Sequence, residues 1–592
     1  MQSVNFSSDT RVDVRNTSSR KAQLALAAMT AVALVTPQFA QAASDTWSGT
    51  TNSLWSLNTN WLGGNVPGTG DTATFANAGN GNTTIDLGGG VTTSTLLFTS
   101  ASVAGYTIGS GGPNAQLLTL NDGGAINVDA SVGNAQTIDA GVVLGTTGGA
   151  TTVTFANNGG QPLSFTGTIT GSTGAGLKTL AVAGSSNTSI SGVIGNGTGG
   201  GSVGLSKTGT GSLTLSGTNT YSGGSTITTG TVIVTNASGL GTGSVNVGAT
   251  GTAFLNNDQT GSNFTYANNF TGTGLIKVQP NGLALGDTTV LTGDMSGFTG
   301  TLQVLPGFFN NGYVNLGQTT QATTPGAGSI IKIDSGASLF LNKTLLYASN
   351  IEVAGNGNTD NKGAIRFEQN AAITGNVALL SDSTFHVTAN GGRIEGQVSG
   401  AFGFTKRGST FSLTNANNTY TGTTTIADGT LSVGNGGTTT GSLGSGPVFM
   451  SGNGTLRFNL GAGSPYTYAG NITSTFGQGI INNQGVIPVT LSGTSKIDNF
   501  FRVWGGGETI ITGSIQVGDE TANTFNQGWT SIGILNGNPP QPGPGILTIA
   551  AGGSYSGMGT SDGGIPNSLI GGAITGTASI NVNGGTLLFG GR

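Results

Sequence analysis

Cysteine is absent from all 592 residues, histidine occurs once, and charged residues of both signs make up only 7% of the chain. Each scarcity closes off a class of protein. Without cysteine there are no disulfides, thiolate metal sites or cysteine nucleophiles. The one histidine, His386, cannot supply a zinc triad, and no HExxH motif or Ser-His pairing with nearby acids can be assembled around it. Lys and Arg number 18 against 23 Asp and Glu, a net charge of −5, so no basic stripe exists to displace counterions from nucleic acid. An ordinary soluble protein carries roughly 25% charge, much of it on helices, so a helix-bearing enzyme of the usual kind is a poor match. A membrane-spanning run is lacking as well. The longest largely apolar stretch, Leu24 to Val35, has about 12 residues where roughly 20 are needed to cross a bilayer as a helix.

That short run has a different use. Arg20-Lys21 precede it and Ala40-Gln41-Ala42 follow it, giving the order positive, apolar, cleavable that marks an export signal. Residues 1–42 read as a signal peptide with an extended n-region. Its removal leaves 14 Lys and Arg against 21 Asp and Glu, a net charge of −7 for the mature chain.

What fills the mature chain is glycine, 110 residues in all, with Thr, Asn and Ser set between Val, Ile, Leu and Phe. Four to six residues alternate apolar with small polar side chains, then a turn of Gly with Asn, Thr, Asp or Ser follows. Thr84 to Leu87, Ala125 to Val128, Thr152 to Phe155 and Ser579 to Val582 are examples, each a strand with one apolar face. Such a unit cannot bury its face alone, but stacked coils give a continuous core and hide strand edges, so the pattern predicts an all-β, elongated parallel β-solenoid. At about 22 residues per coil, roughly 550 mature residues give about 25 coils and a rod of about 120 Å. The expected organisation is a capping coil over 43–90, a β-helix over 91–499, an irregular Trp- and Pro-containing insertion or cap over 500–545, and further coils over 546–592.

One phrase occurs twice, 199 residues apart. Lys207, Gly209, Asn219, Tyr221, Gly223 and Gly230 correspond to Lys406, Gly408, Asn418, Tyr420, Gly422 and Gly429. At about 22 residues per coil that offset is about nine turns, which would return the motif to the same side of the cylinder. The phase slips by one residue at Leu213 and Leu215 against Phe411 and Leu413, so one copy must hold a bulge or an adjusted turn. GTGSLTLSGTNTYSGGSTITTGTVIV at 209–234 resembles the passenger-associated strand repeat of bacterial autotransporters, and TKRGSTFSLTNANNTYTGTTTIADGTLSV at 405–433 resembles a weaker copy. Looser relatives occur at Gly176-Leu177-Lys178 and from Asn187-Thr188 to Ile194. Trp47, Trp55, Trp61, Pro67, Asp71 and Phe75 resemble the opening coil that precedes such repeats and would cap it with aromatic rings. The resemblance implies a right-handed parallel β-helix, exported and displayed or released, acting as a rigid stalk or adhesive surface. An autotransporter would close with a membrane barrel. Residues 343–592 keep the Gly-rich solenoid character instead, so a passenger-like protein without its own translocator is expected.

Chemistry has few carriers. Alternation in Thr384-Phe385-His386-Val387 sets His386 opposite its apolar neighbours, toward solvent, as a structural residue. Polysaccharide-cleaving enzymes use paired carboxylates, and the candidates are Asp360, Glu368, Glu395, Asp519 and Glu520. Only the last two are adjacent, and neighbours on a strand point oppositely. No repeated calcium nonapeptide or phosphate-loop ending is present, though the turn from Asn356 to Asp360 has the residue types for one ion. Trp504 and Trp529 either stack on sugar rings beside a polar groove or fill a wide coil, with the proline run at 539–544 as a stiff loop or the end of a sheet face.

The expectation is therefore a non-enzymatic protein with no catalytic, cofactor or metal site. It would be exported to the cell surface, the medium or the periplasm, and contact glycans, cell-surface components or other copies through polar Thr and Asn faces. A polysaccharide lyase or hydrolase, and a passenger fragment of a split autotransporter, are the alternatives.

Overall fold

The structure, a computed structural model, describes residues 43–257, 263–280, 287–307, 312–316, 324–341, 346–389, 391–475, 479–498, 500–503, 507–518, 529–532, 534–535, 541–542, 545–558, 568–570 and 578–590. Residues 1–42, where the signal peptide is expected, lie outside them.

Short alternating segments separated by glycine-rich corners fold into a parallel β-solenoid with three sides per coil. One coil shows the plan. Strands Leu163–Phe165, Ile169–Gly171 and Lys178–Ala183 form its sides, and they stack in register on Thr188–Ile190, Ile194–Gly195 and Val203–Lys207 of the next coil. Strands of the Lys178–Ala183 type form the first side, of the Leu163–Phe165 type the second, and of the Ile169–Gly171 type the third. No α-helix occurs among the described residues, and only two 3-10 turns, Asn58–Asn60 and Gly79–Gly81, interrupt the strands.

Alternation sends every second side chain inward, where Leu, Ile, Val and Phe form continuous rows along the axis. Each fully buried aliphatic side chain contributes about 1.5–3 kcal/mol. Phenylalanines stack between coils, Phe75 on Phe98 at 5.0 Å and Phe385 on Phe404 at 5.1 Å between ring centroids, and across the interior from one side to the next, Phe155 on Phe165 at 4.4 Å.

Coil length varies more than a single repeat number allows. Lys207 pairs with Ile227 twenty residues on and Leu213 with Val232 nineteen on, whereas Leu96 pairs with Ile126 thirty on and Leu302 with Ile331 twenty-nine on. The expected spacing of about 22 residues thus suits only the tighter coils, and the rod is correspondingly shorter.

Variable coils also overturn the expected alignment of the two repeats. The second side runs from Leu213 through strands 231–234, 252–255, 275–278, 301–304, 330–333, 350–353 and 377–379 to Val398. Thr419, next to Asn418, then hydrogen-bonds back to Val398. In the first copy the matching neighbour, Thr220, bonds to Ile194 on the third side. The second repeat is therefore turned one side round the cylinder from the first. Sequence offset counts residues, and corners of unequal length break its link to whole turns.

The region expected to be irregular holds regular strands at 500–503, 508–511 and 514–517. Phe500–Val503, Glu508–Ile511 and Ser514–Val517 make three sides stacked on the preceding coil, and Trp529–Ile532 pairs with Phe500–Val503. A departure lies farther on, where Ile534–Leu535 and Gln541–Pro542 form an antiparallel pair before Gly545–Ala550 rejoins the second side. It is the one antiparallel ladder among the described residues.

Candidate functional site

The twelve repeat residues form two copies of one coil-long unit, with the lysine and two glycines at one corner and the asparagine, tyrosine and third glycine one side away. Lys207 lies in an inward row between Val182 and Ile227, and Lys406 between Phe385 and Ile426. Both are fully buried. Each side chain curls toward the corner that follows its strand, so that Lys207 Nζ donates to the carbonyls of Thr208 at 2.9 Å and Gly209 at 2.8 Å. Lys406 Nζ donates to the backbone carbonyls of Gly408 at 2.6 Å and Asp428 at 2.7 Å. Burial pulls both amines down to about 8. At Lys406 the Asp428 charge opposes that fall. A glycine-bounded corner leaves carbonyls pointing inward, and the lysine satisfies them where no water reaches.

The asparagines tie three coils together. Asn219 Oδ1 accepts from Ile194 N in the coil below at 2.8 Å, and its Nδ2 donates to Gly239 O in the coil above at 2.7 Å. Asn418 does the same between Val398 N at 2.7 Å and Ser442 O at 2.8 Å. Tyr221 and Tyr420 are buried beside them, with hydroxyls hydrogen-bonded to Ser225 at 2.7 Å and Thr424 at 2.8 Å. Those hydroxyl partners were missed in the sequence, although Tyr followed four residues later by Ser or Thr is present in both copies.

The glycines serve two purposes. Gly209, Gly230, Gly408 and Gly429 have φ between +61° and +79°, a region that suits glycine. Gly223 and Gly422 have ordinary φ. They are glycine because the backbone of the neighbouring coil, at Val203 and Gly403, leaves no room for a Cβ. The one-residue phase slip is absorbed in the corners: four residues separate Lys207 from the strand Ser212–Leu215, and four separate Lys406 from Phe411–Leu413, whose first residue already points inward. The looser relatives do not reproduce the unit. Lys178 pairs with Val203, four places earlier than Lys207's partner Val182, and Asn187 caps Ser212 at the start of a second-side strand.

The opening coil is a buried aromatic cluster. Trp61 stands edge-on between Trp47 at 5.1 Å and Trp55 at 4.9 Å, with Phe75 beneath them. Every indole N–H is satisfied by a carbonyl: Trp47 by Asn82, Trp55 by Pro67 and Trp61 by Trp55. Asp71 Oδ2 accepts from Gly68 N at 2.7 Å, closing the turn after Pro67.

Of the remaining candidates, Trp504, Asp519 and Glu520 lie outside the described residues, and Trp529 is placed only as the start of a first-side strand. Glu368 is held by Arg366 at 2.7 Å and Glu395 by Arg393 at 2.6 Å, on the third and first sides respectively. Asp360 accepts from Lys362 N at 2.9 Å within its turn. Among the described residues there is no group of three or more His, Asp or Glu able to hold a metal ion. Nor is any described helix long and apolar enough to cross a membrane.

His386 points outward but is half-buried, in register between Arg366 and Arg407 of the adjacent coils. Burial, then the Arg366 charge, lower its pKa from 6.5, with Lys362 adding to the effect and Asp428 and Asp360 opposing it. The unfolded chain takes up this proton near pH 6.5 while the fold resists it, so stability falls as pH drops below that value. His386→Gln is expected to flatten the dependence. The only imidazole in the chain gives a single NMR titration to check it, and a midpoint at or above 6.5 would refute the assignment.

These features define a parallel β-solenoid built around a corner unit used twice. The family model described as Passenger-associated-transport-repeat matches residues 205–234 and 404–433, the two units above, so the chain carries two copies of that repeat. No curated protein and no solved structure matches the chain. Repeat and fold together support an exported, surface-associated protein of passenger type.

Proposed function

We propose that the protein is a non-enzymatic adhesive or structural rod that holds glycans, surfaces or other copies through polar rows on its sides. The observation that carries this reading is a row of outward hydroxyls on the second side. Thr84, Thr107, Thr137, Ser164, Ser189 and Thr214 are partners in register across six successive coils. Coils stack about 4.8 Å apart, so the row is a regular ladder of donors and acceptors suited to a repeating polymer or a flat surface. Two of its members, Ser189 and Ser164, already hydrogen-bond at 3.1 Å. The pairing of Glu368 and Glu395 with arginines on different sides also favours contact over carboxylate catalysis.

Replacing Thr107 and Thr137 by Val and Ser164 and Ser189 by Ala removes the hydroxyls without touching the core. Adhesion to immobilised polysaccharide or to cells is expected to fall at least fivefold with an unchanged unfolding midpoint. Undiminished adhesion, or release of reducing ends from the polysaccharide, would sink the reading.

A further inference from the structure

The corner between the third and first sides, with the adjoining face of the first side, opens into a polar groove of about 450 Å³ lined by Asn370, Arg393, Ser409 and Thr410 and by Asn435 from the loop after the first-side strand Thr430–Val433. Its floor is bare because it is glycine. A Cβ on Gly391 would lie 3.0 Å from Asn370 Oδ1, while Gly392 faces the core, where a Cβ would run into buried Phe367. What lines the groove is hydroxyls, amides and one guanidinium, with no carboxylate or aromatic ring among them.

The guanidinium is not a free cation. Arg393 Nε is held by Glu395 Oε1 at 2.6 Å, and Nη1 reaches Asn370 O at 3.3 Å. Glu395 offsets the charge that would attract an anion and sets a negative group against the Arg393 guanidinium. Yet it leaves guanidinium N–H groups for neutral oxygen acceptors. We infer that this groove is a binding subsite for a neutral, hexose-containing oligosaccharide, whose hydroxyls both donate and accept, and that Glu395 makes it discriminate against uronic acids. The inference rests on the adhesive reading above and gives it a location and a ligand class.

The test uses the full chain and three probes, cellohexaose, mannohexaose and hexagalacturonate, titrated by calorimetry and saturation-transfer NMR. At least one neutral hexamer should bind, and hexagalacturonate should bind at least tenfold more weakly. Arg393→Met should weaken the neutral probe at least tenfold. Ser409→Trp fills the groove from an exposed position and should do the same, which keeps the test valid if Arg393→Met misfolds. Glu395→Gln should keep neutral binding and raise hexagalacturonate affinity at least tenfold, a gain that a purely structural role for Glu395 does not produce. No binding of either neutral probe, tighter wild-type binding of hexagalacturonate, or neutral binding within twofold of wild type in the Ser409→Trp variant would overturn the subsite. Sedimentation with polysaccharide particles separates the two readings. If wild type and Ser409→Trp adhere equally, the adhesive reading stands and the subsite falls, and if wild type does not adhere, the adhesive reading itself fails.

Discussion

Gly429→Ala is expected to destabilise the second repeat by about 3–5 kcal/mol, while Gly437→Ala costs about 1–2 kcal/mol. The two glycines have nearly the same left-handed φ, +61° and +60°. Their surroundings differ. A Cβ on Gly429 would overlap the Gly408 carbonyl of the coil below and press on Lys406 Nζ, whereas one on Gly437 meets nothing within 4 Å. Backbone strain is therefore common to both, and the difference isolates the close approach of coils at the lysine corner. Hydrogen exchange of amides in 404–433 reads the effect locally, which matters because a long solenoid need not unfold in one step. Equal loss of protection in the two variants would show that conformation alone, and not coil contact, selects glycine there.

The second large effect is expected at the opening coil. Trp61→Ala removes the ring that both other tryptophans pack against, together with the N–H bond to Trp55 O, and should cost about 3–5 kcal/mol. Because each coil contacts only its neighbours, the damage should stay at that end. Limited proteolysis and hydrogen exchange should show faster opening over 45–98 with protection beyond 205 unchanged, and Trp61→Phe should recover most of it. Loss of protection along the whole rod would mean that the cap controls global stability.

The fold was legible because its signal is local. A period of two with glycine and asparagine corners reports strand, face and turn at every step, and stacking follows from the need to cover the apolar face. The repeat was legible because Lys207, Asn219 and Tyr221 each do one thing that other residues do badly. Contacts between coils were hidden. Gly422, Gly446, Gly470, Gly493 and Gly513 line up along one edge, each from Gly446 onward crowding the carbonyl of the one before, with no left-handed φ to explain them. Nothing within a single coil marks that demand. The same blindness concealed the groove, whose walls at Asn370, Arg393, Ser409 and Asn435 come from four different coils. It also concealed the strands Phe500–Val503, Glu508–Ile511 and Ser514–Val517, which stack in register within the segment expected to be an irregular insertion or cap.

Asn219 and Asn418, each bonded to the coil below and the coil above, have a consequence for how the rod comes apart. In a one-dimensional array, opening spreads from unit to unit, and its progress is set by the weakest coupling it must cross. A coil clamped on both faces acts as a firebreak. With one such coil near residue 219 and another near residue 418, fraying that begins at either end is halted before it reaches the middle third, so a nick or a local melt leaves most of the rod standing.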